Sequence, residues 1–78
     1  MTGREWIGTF AGALGVDAPS ESVIDELLRL AGTAAHSSER IAAPIACFLV
    51  AQSGATSIDE IVRAHAIAAA IGASTAPD

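Results

Sequence analysis

The sequence predicts an all-α protein, a compact bundle of four short helices within one domain, residues 1–78. Three observations carry that reading. Apolar residues recur at helical spacing in every segment, and no alternating strand pattern occurs. Clusters of Gly, Pro and Ser, such as Gly15 to Ser20 and Ser53 to Ser57, divide the chain into four runs. Two boxes of the form S/T-x-x-E, Thr2 with Glu5 and Ser57 with Glu60, have the pattern of helix starts.

The first helix is expected over about 4–14, closed by Gly15. At about 100° per residue, Trp6, Ile7, Phe10, Ala11, Ala13 and Leu14 share one side, with the two aromatics as anchors. Asp17, Pro19 and Ser20 turn the chain into a second helix over about 22–35. Its apolar arc, from Val23 through Leu27 and Leu30 to Ala34, is wide enough to imply two neighbours. Asp25, Glu26, Arg29, Gly32 and Thr33 are expected to face water.

The third segment, about 41–52, is apolar all round. Such a run is either a bilayer span or a buried central helix. A span needs about 20 apolar residues, and this one ends at Gln52, so the central helix of the bundle is the expectation. Pro44 lacks the N–H that would bond the Arg40 carbonyl. It belongs in the first turn of a helix starting near Ala42, or at a kink. The fourth helix is expected over about 58–71, stopped by Gly72 and followed by a frayed tail, Ser74 to Asp78. Ile58, Ile61, Val62, Ala68 and Ala69 form its inner face; Ala64, Ile67 and Ile71 form a second stripe. That stripe, with Trp6, is the expected surface for a partner.

Composition narrows the function. Net charge is −5, with four arginines, no lysine and nine acids, so the chain repels phosphate backbones and nucleic acid is not an expected partner. With 51% hydrophobic residues it is no disordered tail. The first residues show no basic and apolar leader pattern, and no membrane span is expected, so the expected location is the cytoplasm. A chain this short builds a thin core and usually needs a staple. Cys47 alone forms no internal disulfide and no zinc ligand set is present. Self-association or docking on another protein is the remaining staple, and a dimer is expected.

Few residues invite chemistry. His36, Glu39 and Arg40 are the first candidates. Were the helix to persist through them, their i, i+3 and i, i+4 spacing would bring them together, with Arg40 as a donor fork for an anion. The plainer reading is a helix junction: His36 at a C-terminus, Ser38 as the next cap, Glu39 in the next first turn. His65, centred on the apolar face of the fourth helix, is either a pH-sensitive partner, a metal ligand or a core histidine with one hydrogen bond. Two histidines without a third convergent ligand do not make a metal site. Cys47 lies among Ala43, Ala46 and Val50 with no base beside it, which favours an inert buried thiol. No nucleophile–base–acid set, phosphate loop or carboxylate dyad can be assembled from spacing, so no catalytic residue, metal or cofactor is expected.

"EWIGTFAGALGV", "LLRLAGTAAHSSER" and "AAPIACFLVAQSGA" together resemble a small bacterial helical family of unknown function. The pattern A-H-x-x-E-R-x-A-A-P, here Ala35 to Pro44, carries most of the likeness, with Trp6, Phe10, Leu14 and Gly15 in the first helix. In that family a proline often precedes the two alanines and a threonine follows A-P-[LI]; here Ile41 and Ala46 hold those places. Members occur alone or fused to MobA-type molybdenum cofactor guanylyltransferases. The resemblance therefore implies work around molybdopterin guanine dinucleotide assembly or molybdoenzyme maturation, and supplies no catalytic residue.

The expected function is a non-enzymatic helical accessory or interaction module in that pathway. It would act as a homodimer or by docking on a nucleotidyltransferase or molybdoenzyme-maturation protein. His36, Glu39 and Arg40 are its expected ligand or partner contacts, and Trp6, Ile67 and Ile71 its expected interface. The alternative is a small-ligand binder with a polar site at the corner between helices two and three. A regulatory or antitoxin-like protein is a third reading, argued from size and acidity.

Overall fold

The computed structural model describes residues 1–75. It contains α1 (Gly3–Leu14), α2 (Glu21–His36), α3 (Ala42–Gln52) and α4 (Ile58–Thr75). Both boxes form as the spacing predicts. Thr2 Oγ1 accepts from the Glu5 N–H at 3.1 Å while Glu5 Oε1 accepts from the Thr2 N–H at 2.8 Å. Ser57 and Glu60 reciprocate at 3.2 and 3.1 Å at the start of α4. Ser20 Oγ accepts from the Val23 N–H at 3.3 Å at the start of α2. Gly15 closes α1 at φ 78°, a left-handed conformation that a Cβ would strain, and the Val16 N–H turns back onto the Ala11 carbonyl at 3.0 Å.

The four helices make a compact all-α bundle with principal extents of 45 × 25 × 19 Å. Its central member is α2, which packs on α3 along one flank and on α4 along the other. This is the double contact that the wide stripe of α2 implied. Leu30, at 1% exposure, and Ile61 are the buried meeting point of α2 and α4. Among the described residues the only other buried side chains are Ala11 and Glu26.

Several sequence expectations are corrected. The central helix is α2, and α3 has no buried residue: its main packing is on α2, leaving Ile41, Ile45, Phe48 and Leu49 more than half exposed. An all-apolar helix reads as buried only if elements cover every side, and here one side is covered. Trp6 and Phe10 stack on each other at 4.9 Å and stay about half exposed, so they do not anchor α1 in the core. Glu26 is buried and Gly32 and Thr33 are half-buried, because α4 crosses the flank of α2 that the polar residues share.

Gly72 does not stop α4, which runs on through Ser74 and Thr75. A Cβ at Gly72 would stand 3.0 Å from the Ser37 Cβ, so this glycine lets α4 pass close to the end of α2. Of the expected tail, Ala76 to Asp78 lie outside the described residues. Of the inner face expected for α4, Ile61 is buried and Ala68 half-buried, while Ile58, Val62 and Ala69 are exposed. Pro44 sits in the first turn of α3, where its missing N–H leaves no helical bond unmade.

Candidate functional site

The inter-helix corner is where the sequence concentrates its candidate contacts. His36 is the last residue of α2, and the helix does not persist beyond it. Ser37 and Ser38 donate their hydroxyls back to the Thr33 and Ala34 carbonyls, each at 2.7 Å, which ends α2. Ser38 is therefore not the cap of α3, whose N-cap, Ile41, makes no side-chain capping bond. Glu39 and Arg40 lie in the connection ahead of α3, Glu39 outside its first turn, and all three candidate side chains are exposed. No hydrogen bond or ion pair joins His36, Glu39 and Arg40 to one another. Breaking the helix removes the i, i+4 relation that would have gathered them.

Two open depressions flank this corner. One, of about 490 Å³, is lined by Ser38, Glu39, Ile41, Ala42 and Ile45. The other, of about 380 Å³, is lined by Ala34, Ser37, Ser38, Ala42, Ala68 and Ile71. Glu39 reaches the first; His36 and Arg40 line neither. A third cleft, of about 290 Å³, opens between α2, α3 and the start of α4, with Leu27, Cys47, Val50 and Ile61 in its wall and Asp17 on its rim. Burial pushes the Cys47 thiol up from its usual pKa, and Sγ lies 4.0 Å from the Leu27 carbonyl. The thiol is half-buried in the cleft wall, and its raised pKa lowers the thiolate fraction.

The most organised polar group is elsewhere. His65, half-buried on α4, reaches across to α2: Nδ1 lies 2.8 Å from Glu26 Oε1 and Nε2 lies 2.8 Å from Thr33 Oγ1. Arg29 donates to the second carboxylate oxygen, Oε2, at 3.0 Å. The bond from His65, assisted by Arg29, holds the Glu26 carboxyl below its ordinary pKa against the opposing effect of burial. An ionised carboxylate only accepts, so Nδ1 carries a proton; in a neutral ring Nε2 then accepts from the Thr33 hydroxyl, and in a charged ring it donates to it. Every polar atom of the set finds a partner in either state, and no buried side-chain polar atom among the described residues is left unpaired.

Sequence reasoning placed His65 on the inner face and missed its partners. The signal was present. Glu26 stands four residues before Leu30 and Thr33 three after it, so all three share the face that Leu30 buries. Carboxylate, imidazole and hydroxyl stand in the order of a general-base relay. The Thr33 hydroxyl, however, projects from within α2, where the neighbouring N–H groups are committed to the helix, and the clefts described above are lined by other residues. What the arrangement accomplishes is a polar weld between α2 and α4. Among the described residues no group of three His, Cys, Asp or Glu side chains is placed to hold a metal ion. Nor is any described helix long and apolar enough to cross a membrane.

The expected interface residues are all on the surface. Trp6 is 55% exposed, and Ile67 and Ile71 more so. A family model for a domain of unknown function, DUF6457, matches residues 1–77. The chain belongs to the DUF6457 family. No curated protein and no solved structure matches it. Membership of DUF6457 accounts for the likeness to a small family of unknown function, and it attaches no activity to the weld, the corner or the apolar surface.

Proposed function

We propose that the chain is a non-enzymatic helical interaction module that serves molybdenum cofactor biosynthesis by docking on other proteins. The observation that carries this reading is the distribution of apolar side chains. Leu30 and Ile61 are the only large ones buried among the described residues, while Trp6, Phe10, Phe48, Leu49, Ile67 and Ile71 are each about half exposed or more. Apolar side chains left open along α1, α3 and α4 offer the kind of surface that marks a binding site where they adjoin. The well-satisfied weld of Glu26, His65 and Thr33 has the character of a brace, which suits a module that holds a shape for a partner.

The pathway is supported by the A-H-x-x-E-R-x-A-A-P pattern of Ala35 to Pro44 and its likeness to chains joined to MobA-type guanylyltransferases. The proposed partner is accordingly a nucleotidyltransferase or a molybdoenzyme-maturation protein, met in the cytoplasm, with His36 and Arg40 as exposed polar contacts and Trp6 as an apolar one. The test is affinity capture from the native host with the wild-type chain and with a His36→Ala, Arg40→Ala double variant. Recovery of a cofactor-pathway protein by the wild type, reduced with the variant, is expected; recovery of none overturns the pathway assignment. Thermal shifts with molybdate, guanine nucleotides and pterins check the small-ligand alternative, because a specific ligand raises the melting temperature. No shift is expected.

A further inference from the structure

We infer that the chain is a two-fold dimer in which α1 of each copy lies along α3 of the other. This rests on the reading of the chain as an interaction module, and names the occupant of one of its surfaces.

The first argument is area. A folded monomer of this mass exposes about 4,400 Å². This 7.8 kDa chain exposes 5620 Å², an excess of about 1,200 Å². Burying that excess on each of two copies makes an interface of about 2,400 Å² in total, within the range of obligate homodimers. Part of the excess belongs to the elongated outline of the bundle, 45 × 25 × 19 Å, and the rest is surface that a partner can cover.

The second argument is which elements lack cover. The packed helix pairs within the chain are α2 with α4 and α2 with α3. By contrast α1 buries Ala11 alone and is tied to α2 by exposed ion pairs, Arg4 to Glu21 at 2.8 Å and to Asp25 at 3.0 Å. Exposed pairs of this kind contribute little. A helix of 12 residues is marginal in water without tertiary packing, so the apolar side of α1 needs a surface to lie on.

The third argument is fit. Trp6, Phe10 and Leu14 form a ridge at i, i+4, i+8 on α1. Ile45, Phe48 and Leu49 continue the ridge that Ile41 begins on α3, again over a span of i to i+8. Both ridges are therefore about 12 Å long. Not one charged residue lies between Arg40 and Asp59, so two chains of net charge −5 meet at α3 without like charges facing each other there. An uncharged ridge also offers an acidic or basic partner nothing to select by charge, whereas a second copy supplies the matching ridge twice under two-fold symmetry. The dimer takes Trp6 for its own contact, so a foreign partner is left the His36 and Arg40 corner and the Ile67 stripe of both copies.

Sedimentation equilibrium on the purified chain, with isotope-filtered NMR on a mixed sample of labelled and unlabelled chains, tests this. The expected results are a species of twice the chain mass and intermolecular contacts from the Trp6 and Phe10 rings to the Ile45 and Leu49 methyls. Phe48→Asp is expected to weaken the dimer by about thirtyfold or more, the effect of losing an interface hot spot. A dimer lacking those ring-to-methyl contacts overturns the α1–α3 pairing. A monomer at about 100 μM, a concentration at which even weak specific interfaces associate, overturns the dimer altogether. The wild-type measurements decide both points even if Phe48→Asp fails to fold. The proposed docking on a cofactor-pathway protein fails separately, by recovery of no pathway protein in the capture experiment.

Discussion

At the scale of single residues, the weld between α2 and α4 makes ordered predictions. Thr33→Val keeps the shape of the side chain and removes the hydroxyl bonded to His65 Nε2. One hydrogen bond of this kind contributes about 1 kcal/mol, and urea unfolding should show a loss of that size. His65→Ala should cost more, because it leaves the buried Glu26 carboxylate with Arg29 alone and removes a half-buried side chain from the seam between α2 and α4. Equal losses for the two variants would mean that the histidine bridge is not formed in solution. Acid should loosen the same weld. Unfolded Glu26 takes up a proton in the ordinary carboxylate range, whereas in the folded chain His65 and Arg29 lower its pKa. Through that range the unfolded state binds more protons, so stability falls as pH falls. The contribution is fully present above the ordinary range and gone below the folded value. Glu5 and Glu60, lowered by their own capping bonds, act with the same sign. Glu26→Gln should therefore give a shallower acid-side slope of stability below about pH 5 while leaving the capping contributions in place. An unchanged slope would contradict this.

At the scale of helices, the caps should separate elements that belong to the core from one that does not. Ser57→Ala removes the N-cap of α4, which packs on α2, so its loss should appear in global unfolding at about 1 kcal/mol. Thr2→Ala removes the equivalent cap of α1, which forms neither of the two extensive helix pairs, α2 with α3 and α2 with α4. Amide exchange should then quicken across α1, with little change in the α2 core of the isolated chain. The two ends of α1 and the start of α4 were legible in the sequence because they are written locally: Thr2 and Glu5, Ser57 and Glu60, and Gly15 each act within one turn. What was not legible was which helix lies in the middle. The apolar run of α3 reads as buried from composition, yet burial depends on which elements cover it, and its main cover is α2 on one flank. The same limit hid the weld. Glu26 looked solvated because a single helical wheel cannot show that His65, 39 residues later, crosses over it. At the His36, Glu39 and Arg40 corner the sequence left two geometries open, a continuous helix that groups the three and a helix junction, and the junction is the one that forms. The grouping needed an unbroken helix, and the Ser37 and Ser38 hydroxyls end that helix at His36.

At the scale of the molecule, a chain whose inner core is centred on Leu30 and Ile61 has little stability to spare. Leu30→Ala should cost about 2–5 kcal/mol, enough to unfold a protein of this size at ordinary temperatures. If stability is completed by a second copy, it must also depend on how much of the second copy is present. Unfolding of a dimer to two separate chains makes the apparent stability rise by about 1.4 kcal/mol for each tenfold increase in protein concentration. Thermal melts of the wild type across two decades of concentration should show the midpoint climbing steadily, and Phe48→Asp should flatten that climb where it remains folded. A midpoint independent of concentration would mean that the exposed ridges of α1 and α3 contribute nothing to the fold. The four-helix chain would then be stable on the α2 contacts and the Glu26–His65–Thr33 weld alone.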